Sequence, residues 1–402
     1  MLLAYIKAQA AGSEDEIPVC GGFIEFNAEG SVLAELKKNI DYSAITVQYF
    51  STDMILKDHT NLAASGYYFL PIYDNESFIL KISGPHGMSF EPEQYVFNVD
   101  QDKSIRDICK NDINFKFRGY VVEGQVSTFG SNDGPEGIKL ELFNSQNEKV
   151  QSTNTFSKGL FKFKPILPGR YTIKSTENQE MFDTNHKELT FSVNINSANF
   201  LERALIIKGY KVSGKVVAEN EPLEDIHALI YSYNSTLVKN YKCEFKSQQL
   251  KEFEYNGMTP FCAITTGKDG IFTFVNIPFG KFLIRTLYKN SYVSYELSPD
   301  HLPIDVEHHD YIIEEPFVAK TFSTYGKVIN GKKNGIPNVN IKIDGQEKAV
   351  TDKNGIYKLE NLIPGNYDLE AQADDMFFDP LTNIRITAHV KALPDLLVTH
   401  YK

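Results

Sequence analysis

The chain has 402 residues, more than a single hydrophobic core normally serves, so several domains are expected. It carries 41 Lys and Arg against 52 Asp and Glu, a formal net charge of −11, and it contains no clustered basic run. Because nucleic-acid binding needs clustered Lys and Arg to displace counterions, nucleic acid is excluded as the main partner. With 28 Phe and 22 Tyr beside 6 Met and no Trp, the composition favours strands, and we predict an all-β chain.

In the first part of the chain, alternating apolar and polar residues predict strands, and the alternation is clearest at 78–82 and 113–117. The predicted strands are 20–26, 44–50, 66–71, 77–82, 95–99 and 112–117. Apolar residues on one face of each strand are typical of a β-sandwich.

A longer pattern then returns roughly every hundred residues: a strand with glycine and an aromatic residue, a hairpin turn, and a Pro-Gly turn before an aromatic strand. It begins near residues 119, 209 and 322. A repeat of this length is a whole domain with its own core. We predict a leader or truncated signal segment at 1–15 and four tandem β-sandwiches at 16–117, 118–207, 208–319 and 320–402.

Two kinds of glycine recur in the repeats. Gly159 in the hairpin at 157–163 is predicted to take a positive φ, with Phe161 and Phe163 facing inward, and the same hairpin recurs at 268–274 and 352–357. Gly169 and Gly365 in the Pro-Gly turns are also predicted to take a positive φ.

The third repeat is longer because roughly twenty extra residues, which carry both of its cysteines, precede the hairpin. The last strand of one repeat runs almost directly into the first strand of the next, so linkers are nearly absent.

The leader is a poor signal peptide because its apolar stretch, Leu2 to Ile6, is short and is followed by Lys7. We therefore expect residues 1–15 to be a leader or a truncated signal segment. An apolar run of about 18 residues is missing from the sequence as given, so we predict that this stretch of chain does not span a bilayer.

The four cysteines fall as one pair in the first repeat, Cys20 and Cys109, and one pair in the third, Cys243 and Cys262. Because none has a Cys-x-x-Cys spacing, zinc binding is poorly supported and disulfides within single domains are predicted. Four buried thiols are the alternative. Closing the long loop between Cys20 and Cys109 would stabilise its domain by roughly 4 kcal/mol in the entropic model.

Two sequons, at Asn75 and Asn234, lie in polar breaks between predicted strands and are predicted glycosylation sites. Together with paired cysteines they favour an oxidising lumen as the compartment.

The densest group of potential metal ligands is Glu307 to Asp310, with His301, Glu314 and Glu315 nearby. Neighbouring residues of a strand point to opposite faces, so a solvated edge is favoured over a metal site. Asp269 and Asp352 begin segments that are similar to calcium loops but lack the later glutamate, and they are predicted to form turns.

Motifs of nucleophile elbows, zinc proteases and phosphate loops are missing from the sequence, so we predict a protein that is not an enzyme and has no cofactor.

Clusters of tyrosine suggest carbohydrate binding as an alternative function. The clusters are Tyr67 with Tyr68, Tyr231 with Tyr233, and Tyr288 with Tyr292 and Tyr295. Exposed rings could stack on sugars, whereas core or cross-strand aromatic pairs are the favoured interpretation. A carbohydrate-binding array of β-sandwiches is therefore kept as the second hypothesis.

Several segments closely resemble the amino-terminal part of Nodal modulator (NOMO) proteins. They are Val-Cys-Gly-Gly-Phe at 19–23, Phe-Leu-Pro-Ile-Tyr-Asp at 69–74, Phe-Ile-Leu-Lys-Ile at 78–82, Gly-Pro-His-Gly-Met-Ser-Phe-Glu-Pro at 84–92, Asp-Ile-Cys at 107–109 and Asp-Ile-Asn-Phe at 112–115. The repeated Gly-Tyr strands and Pro-Gly turns continue the similarity to about residue 400, so the resemblance covers nearly the whole chain.

The resemblance implies a large glycoprotein of the endoplasmic reticulum membrane. Its lumenal part would be a row of immunoglobulin-like or transthyretin-like β-sandwiches, related in fold to carboxypeptidase regulatory-like and carbohydrate-binding-like modules. It also implies a non-enzymatic scaffold that partners a nicalin-like membrane protein and a small multispanning protein beside the Sec61 translocon, in multipass membrane protein biogenesis, with a link to Nodal signalling. The degenerate leader and the absence of later modules and of a carboxy-terminal transmembrane helix suggest an amino-terminal fragment.

Overall fold

A computed structural model describes residues 17–26, 37–85, 87–100, 103–177, 179–194, 200–288 and 290–402. The predicted leader at 1–15 and His86, which belongs to one of the NOMO-like segments, lie outside these residues. The chain folds as two compact units. Unit 1 comprises the residues up to Ser127 together with Asn132–Ile207, and unit 2 comprises Thr128–Ser131 together with Lys208–Lys402. Both units are built almost entirely of strands, as the composition predicts.

Among its described residues, unit 1 contains two β-sandwiches, the short helix α1 (Ile105–Cys109) and helical residues at 37–39. Its strands are β1 (Val19–Phe26), β2 (Thr46–Ser51), β3 (Leu56–Asn61), β4 (Tyr67–Pro71), β5 (Phe78–Ser83), β6 (Met88–Glu91), β7 (Gln94–Phe97), β8 (Phe115–Thr128), β9 (Lys139–Asn144), β10 (Lys149–Asn154), β11 (Leu160–Ile166), β12 (Gly169–Lys174), β13 (Glu188–Val193) and β14 (Phe200–Ile207). Short 3-10 turns lie at Tyr42–Ala44, Ser157–Gly159 and Gln179–Met181.

The first sandwich has one sheet ordered β3-β2-β5-β7 and a second formed by β4, β1, the first half of β8, and β6. The second sandwich has a sheet ordered β10-β9-β12-β13 and a second formed by β11, the rest of β8, and β14. The inward residues of both sheets are buried, among them Leu80, Phe115, Leu142 and Phe161. Each unit-1 core therefore lies between two sheets, as in other sandwiches.

Unit 2 repeats this plan with two more sandwiches and, in the part that the structure describes, the short helix α2 (Ser247–Leu250), which continues into a 3-10 turn at Lys251–Phe253. Its strands are β15 (Tyr210–Ala218), β16 (Glu221–Pro222), β17 (His227–Ser232), β18 (Cys262–Thr265), β19 (Ile271–Ile277), β20 (Gly280–Leu287), β21 (Tyr295–Ser298), β22 (Leu302–Val306), β23 (Tyr311–Ile312), β24 (Phe317–Ile329), β25 (Asn340–Ile343), β26 (Gln346–Val350), β27 (Ile356–Leu362), β28 (Gly365–Gln372), β29 (Met376–Phe378), β30 (Leu381–Ile386) and β31 (Leu396–Tyr401). The outer sheets are β18-β17-β20-β22 and β26-β25-β28-β30.

In each unit one long strand belongs to both sandwiches. β8 pairs in parallel with β1 through its first residues and antiparallel with β11 through its later ones. In the same way β24 pairs in parallel with β15, then antiparallel with β27 and in parallel with β31. The sequence predicts a strand end near residue 117 and a new strand from 119. The structure corrects this, because Gly119 at φ +127° lets the backbone pass through without a break.

Two strands of the first sandwich are missing from the sequence prediction. β3 is an edge strand whose six residues, Leu-Lys-Asp-His-Thr-Asn, are all exposed or half-buried, so they show little apolar alternation. β6 has only four residues and follows a segment rich in glycine and proline. Edge strands that are short or exposed on both faces carry weak hydrophobic periodicity.

A glycine in the first strand of three sandwiches faces an aromatic ring on the neighbouring strand. The pairs are Gly124 with Phe161, Gly214 with Phe272 and Gly326 with Tyr357. A Cβ at these glycines would lie 2.5, 2.4 and 2.2 Å from the ring or its hydroxyl, closer than real Cβ contacts come. The repeated glycine therefore makes room for a buried ring.

The hairpin glycines behave as predicted. Gly159, Gly270 and Gly355 have φ of +74°, +70° and +77°. Phe161 and Phe163 are each 1% exposed, which confirms that they face the core.

The Pro-Gly glycines do not behave as predicted. Gly169 and Gly365 are absent from the positive-φ glycines of the described chain, so that prediction is wrong. Their Cβ would instead lie 3.3 Å from the ring of the tyrosine two residues later, Tyr171 or Tyr367. Each tyrosine hydroxyl donates a hydrogen bond to the backbone carbonyl four residues earlier, at 2.9 Å and 2.6 Å. These glycines therefore admit a ring that folds back over the turn.

Candidate functional site

The structure joins Cys20 to Cys109 and Cys243 to Cys262. The first bond connects β1 to the end of α1, and both of its cysteines are buried. Ser104 is the N-cap of α1, and its side chain forms a capping box with Asp107. The first disulfide therefore fixes this helix on the sheet beside β1.

The second disulfide lies in the long connection between β17 and β18. Cys262 is the first residue of β18 and is 3% exposed, whereas Cys243 lies within the connection and is half-buried. The bond therefore ties the extra residues of the third sandwich to the outer sheet.

Both predicted sequons lie on the surface. Asn75 is exposed between β4 and β5, and Asn234 is exposed just after β17. Thr236 donates hydrogen bonds to Asn234 Oδ1 from its hydroxyl, at 2.6 Å, and from its backbone N–H, at 3.2 Å. The surface position is what an N-glycan acceptor needs, and glycosylation itself stays a prediction.

Three of the predicted tyrosine platforms are inside the protein. Tyr67, Tyr68 and Tyr231 are 7%, 1% and 0% exposed, so they cannot present a ring face to a sugar. Tyr68 donates to the carbonyl of Ile113 at 2.8 Å, and Tyr231 donates to the carbonyl of Phe253 at 2.7 Å. For these residues the core interpretation is confirmed.

The other tyrosines differ from one another. Tyr288 contacts Tyr295 edge-on with ring centroids 5.3 Å apart, and Tyr292 contacts Tyr325 at 5.1 Å. All three predicted members of this cluster are half-buried, and the hydroxyl of Tyr295 donates to a backbone carbonyl at 2.9 Å. Tyr233, at 59% exposed, is the most open ring of the predicted set.

The residues from Glu307 to Asp310 form the connection between β22 and β23. His308 stacks on Phe279 with ring centroids 4.8 Å apart, and its Nδ1 lies 3.2 Å from Thr128 Oγ1. Asp310 Oδ1 accepts a hydrogen bond from the backbone N–H of Lys211 at 2.9 Å. Within the described ranges no three His, Cys, Asp or Glu side chains come close enough together to hold a metal ion.

The two calcium-like segments are turns. Asp352 Oδ1 accepts hydrogen bonds from the N–H groups of Asn354 and Ile356 at 2.8 and 2.9 Å, and these bonds lower the pKa of its carboxyl group, that from Ile356 most. Asp269 Oδ1 accepts from the N–H of Ile271 at 3.0 Å. The carboxylates serve the backbone of the hairpin, which confirms the turn interpretation.

A half-open cleft of 490 Å³ lies in unit 1 beside β6. Met88, Phe90, Val121 and Phe200 line it with charged side chains of both signs. Two of these, Lys162 and Glu123, pair with each other at 2.8 Å. The cleft carries no arrangement of a nucleophile and a base.

The most distinctive surface lies on the third sandwich, where the sheet β18-β17-β20-β22 is apolar on its outward side as well as on its inward side. Leu229, Tyr231, Ala263 and Leu283 form a buried cluster there with Leu250 and Phe253 of the connection between β17 and β18. Phe245, Tyr255, Met258 and Leu287 pack around it. This sheet is therefore covered on both faces.

A polar group borders this cluster. Arg285 stacks its guanidinium 3.7 Å from the ring centre of Tyr255 and donates to Asp300 Oδ1 at 2.8 Å. The Tyr255 hydroxyl also donates to Asp300 Oδ2 at 3.2 Å. The hydrogen bond from Arg285 is the main reason that the pKa of Asp300 lies below its ordinary value. These contacts fix Tyr255 against the sheet.

The sequence analysis missed this cover, although a signal was present. His-Ala-Leu-Ile-Tyr-Ser of β17 is apolar at four successive positions, whereas Lys-Leu-Glu-Leu at the start of the corresponding β9 alternates. A continuous apolar run indicates a strand buried on both faces.

Family models match the chain along most of its length. The first sandwich domain of BOS complex subunit NOMO1-like proteins matches residues 30–117. The second sandwich domain of the same proteins matches residues 117–208 and again 319–399. The third transthyretin-like domain of NOMO matches residues 210–320. The chain belongs to the NOMO family.

Individual relatives extend the NOMO match. Human BOS complex subunit NOMO1 is 32% identical over 98% of this chain, and mouse NOMO1 is 32% identical over the whole chain. Nicotinic receptor-associated protein 4 of Caenorhabditis elegans is 24% identical over 80% of the chain. The chain spans about a third of the length of these NOMO relatives, 31% for human NOMO1.

Among solved structures, the Bacillus anthracis TIE protein matches with a TM-score of 0.26 at 12% identity, covering 100% of this chain and 77% of that one.

The second NOMO model matches two separate stretches, which agrees with the internal repeat.

Helices are short throughout the described ranges. None of them has the length and apolar character needed to cross a membrane.

Proposed function

We propose that this chain is a non-catalytic, structural part of a membrane complex of the BOS type. The observation that carries the proposal is the family match: NOMO models cover most of the chain, and relatives named as BOS complex subunits align over 98% of it. Tandem sandwiches suit a protein that positions partners, because binding surfaces can be spread over several domains.

The finer proposal places the chain on the lumenal side of the endoplasmic reticulum membrane. Its partners there would be a nicalin-like membrane protein, a small multispanning protein and the Sec61 translocon, with a role in multipass membrane protein biogenesis and in Nodal signalling. Two disulfides and two exposed sequons support an oxidising lumen. Burial of Tyr67, Tyr68 and Tyr231 argues against the carbohydrate-binding alternative.

Crosslinking mass spectrometry on intact microsomes tests the partners. The full-length protein that contains this chain is expressed with a tag, crosslinked through lysines and digested. We expect crosslinks from exposed lysines of this chain to lumenal segments of a nicalin-like protein. A tagged, unrelated lumenal β-sandwich protein is the control. Recovery of links only within the chain, while the rest of the protein links to the complex, would remove this segment from the scaffold.

Glycosidase digestion tests the compartment separately. Protein made with Asn75→Gln and Asn234→Gln is compared with the unchanged protein before and after removal of N-glycans. We expect a mobility shift for the unchanged protein and none for the double variant. If the unchanged protein carries no glycan at either position, the lumenal assignment loses this support.

A further inference from the structure

The third sandwich differs from the others in the residue pairs that face each other across neighbouring strands on the outward side of its sheet. In the first, second and fourth sandwiches, a central cross-strand pair is polar: Gln48 with Lys81, Glu141 with Lys174, and Lys342 with Glu370. In the third sandwich the corresponding strands place Leu229 opposite Arg285 and Tyr231 opposite Leu283. The outward faces of the outer sheets in the other sandwiches can be exposed to water, whereas the apolar outward face of the third must be covered.

The stretch 244–261, which lies between Cys243 and Cys262, covers this face, and we call it the cover. Leu250 and Phe253 are 6% and 9% exposed, and they belong to the same buried cluster as Leu229, Tyr231 and Leu283. Most backbone hydrogen bonds of the cover close within it, from the N–H groups of Gln249 and Leu250 to the carbonyl of Lys246 and in both directions between Tyr255 and Met258. Its last residue, Phe261, donates from its N–H to the carbonyl of Ile230 in β17 at 3.0 Å. The cover thus packs on the sheet mainly through side chains.

Attachment of the cover combines one covalent bond with a few side-chain contacts. The covalent bond is Cys243–Cys262, which joins the beginning of the cover to β18. The other contacts include the hydrogen bond from Tyr231 to Phe253 and the stacking of Arg285 on Tyr255. Such contacts open locally far more readily than a sheet does.

We propose that the cover is a redox-controlled lid: the Cys243–Cys262 disulfide holds it closed, and reduction lets it open and expose the apolar outer face of the third sandwich. Nothing in this proposal depends on the proposed function, because the lid and the face it hides are both parts of this chain.

The reductant is a dithiol, either a small molecule or a protein with two thiols. Its thiolate attacks Cys243 Sγ, the S–S bond breaks, and Cys262 leaves as a thiolate that takes a proton. The second thiol of the reductant then attacks the mixed disulfide and releases Cys243 as a thiol. Two electrons and two protons pass to the protein, and the dithiol becomes a disulfide.

The two disulfides differ in access. Cys20 in β1 and Cys109 in α1 are 0% and 4% exposed. Cys243 is half-buried, so this disulfide lies nearer to solvent than Cys20–Cys109. A mild reductant should therefore reduce Cys243–Cys262 first.

Hydrogen exchange of the complete chain tests the lid. The protein is treated with dithiothreitol until alkylation and mass spectrometry show that Cys243 and Cys262 are reduced and Cys20 and Cys109 are not. We expect amides of the cover to exchange on the order of a hundredfold faster, the factor that a loop of this length gives in the entropic model. Amides of β15 and β24 should keep their protection, and binding of an apolar dye should rise.

Two double variants control the experiment. Cys243→Ser with Cys262→Ser should reproduce the fast exchange of the cover without any reductant. Cys20→Ser with Cys109→Ser should leave exchange of the cover unchanged. Unchanged exchange after reduction would show that side-chain contacts alone hold the cover and would overturn the proposal. Loss of protection in β15 and β24 together with the cover would also overturn it, since the disulfide would then hold the fold and not a lid.

Discussion

Glycines of the same backbone conformation differ in what surrounds them. Gly345 and Gly355 both have φ of +77° in the fourth sandwich. A Cβ at Gly345 would meet nothing within 4 Å, whereas a Cβ at Gly355 would lie 2.5 Å from the N atom of Ile336 and 2.6 Å from the carbonyl oxygen of Val328. A side chain at either position would be strained by the positive φ, and at Gly355 it would also clash with the backbone.

This difference gives a matched prediction. We expect Gly345→Ala to lower the free energy of unfolding by about 1 kcal/mol, the strain of the left-handed region alone. Gly355→Ala should lower it by about 3 kcal/mol, because backbone atoms must also move. Urea denaturation of both variants measures the difference. Equal losses would mean that the hairpin around Gly355 shifts at little cost.

Buried tyrosine hydroxyls give a second matched pair. Tyr231 and Tyr357 are 0% and 1% exposed. The hydroxyl of Tyr231 donates to the carbonyl of Phe253 at 2.7 Å, while that of Tyr357 has no partner among the residues that the structure describes. Burial raises the pKa of both hydroxyls.

We expect Tyr231→Phe to lower the free energy of unfolding by about 1 kcal/mol, since an acceptor loses its donor. Tyr357→Phe should leave stability unchanged or raise it by up to about 1 kcal/mol, because it removes an unpaired buried polar group. Thermal denaturation of the two variants under the same conditions tests this. A clear loss from Tyr357→Phe would indicate that its hydroxyl is satisfied in solution.

At the residue scale, the sequence identifies glycines that need a positive φ only where a hairpin demands it. Gly159 stands in a hairpin between apolar strands, so its conformation follows from local chemistry. Gly169 follows a proline, which is compatible with several turns. Its actual role depends on the ring of Tyr171, and a sequence does not show where that ring lies.

At the element scale, strands with one apolar face are predicted well and shared strands are not. The alternation at 113–117 places Ile113, Phe115 and Phe117 inward, and the structure buries all three. β8 is continuous because it pairs with β1, β6, β11 and β14, and these strands come from distant parts of the chain. The cover of the third sandwich depends on long-range packing in the same way. The apolar run of β17 indicates that this sheet is buried on both faces, but it does not show which residues cover it.

His227 links the cover to pH. Its ring lies 5.7 Å from the rings of both Phe245 and Phe253. Burial lowers the pKa of its imidazole below the ordinary value, and the nearby Asp225 opposes this shift. Between the folded and unfolded pKa values the unfolded chain binds a proton that the folded chain does not. His227 therefore favours folding at pH values above about 6.5 and opposes it as the pH falls below that value.

We expect unit 2 to lose stability between about pH 7 and about pH 5.5, with part of the loss coming from His227. His227→Gln keeps a polar side chain that does not titrate, so the variant should show a smaller loss over the same interval. Urea denaturation at several pH values, with His309→Gln as a control at an exposed histidine, measures the difference. An identical pH dependence in His227→Gln and in the unchanged protein would contradict this assignment.

At the scale of the whole molecule, the four sandwiches are joined in pairs by shared strands within two compact units. β8 runs through both sandwiches of unit 1, and β24 runs through both sandwiches of unit 2. Unit 2 also has ion pairs between its sandwiches, Arg385 with Glu219 and Lys391 with Asp225, at 2.6 and 2.7 Å. The hydrogen bond to Asp225 raises the pKa of Lys391.

Shared strands should make each unit melt as a whole, because one sandwich cannot unfold without breaking a strand of its neighbour. We expect calorimetry of the chain to show two transitions, one for each unit. Gly355→Ala, which lies in the fourth sandwich, should lower the temperature of the unit 2 transition, with the third and fourth sandwiches melting together, and leave the unit 1 transition in place. Four transitions would show that the sandwiches are independent despite β8 and β24. A single transition that moves as a whole with Gly355→Ala would show that the two units are coupled.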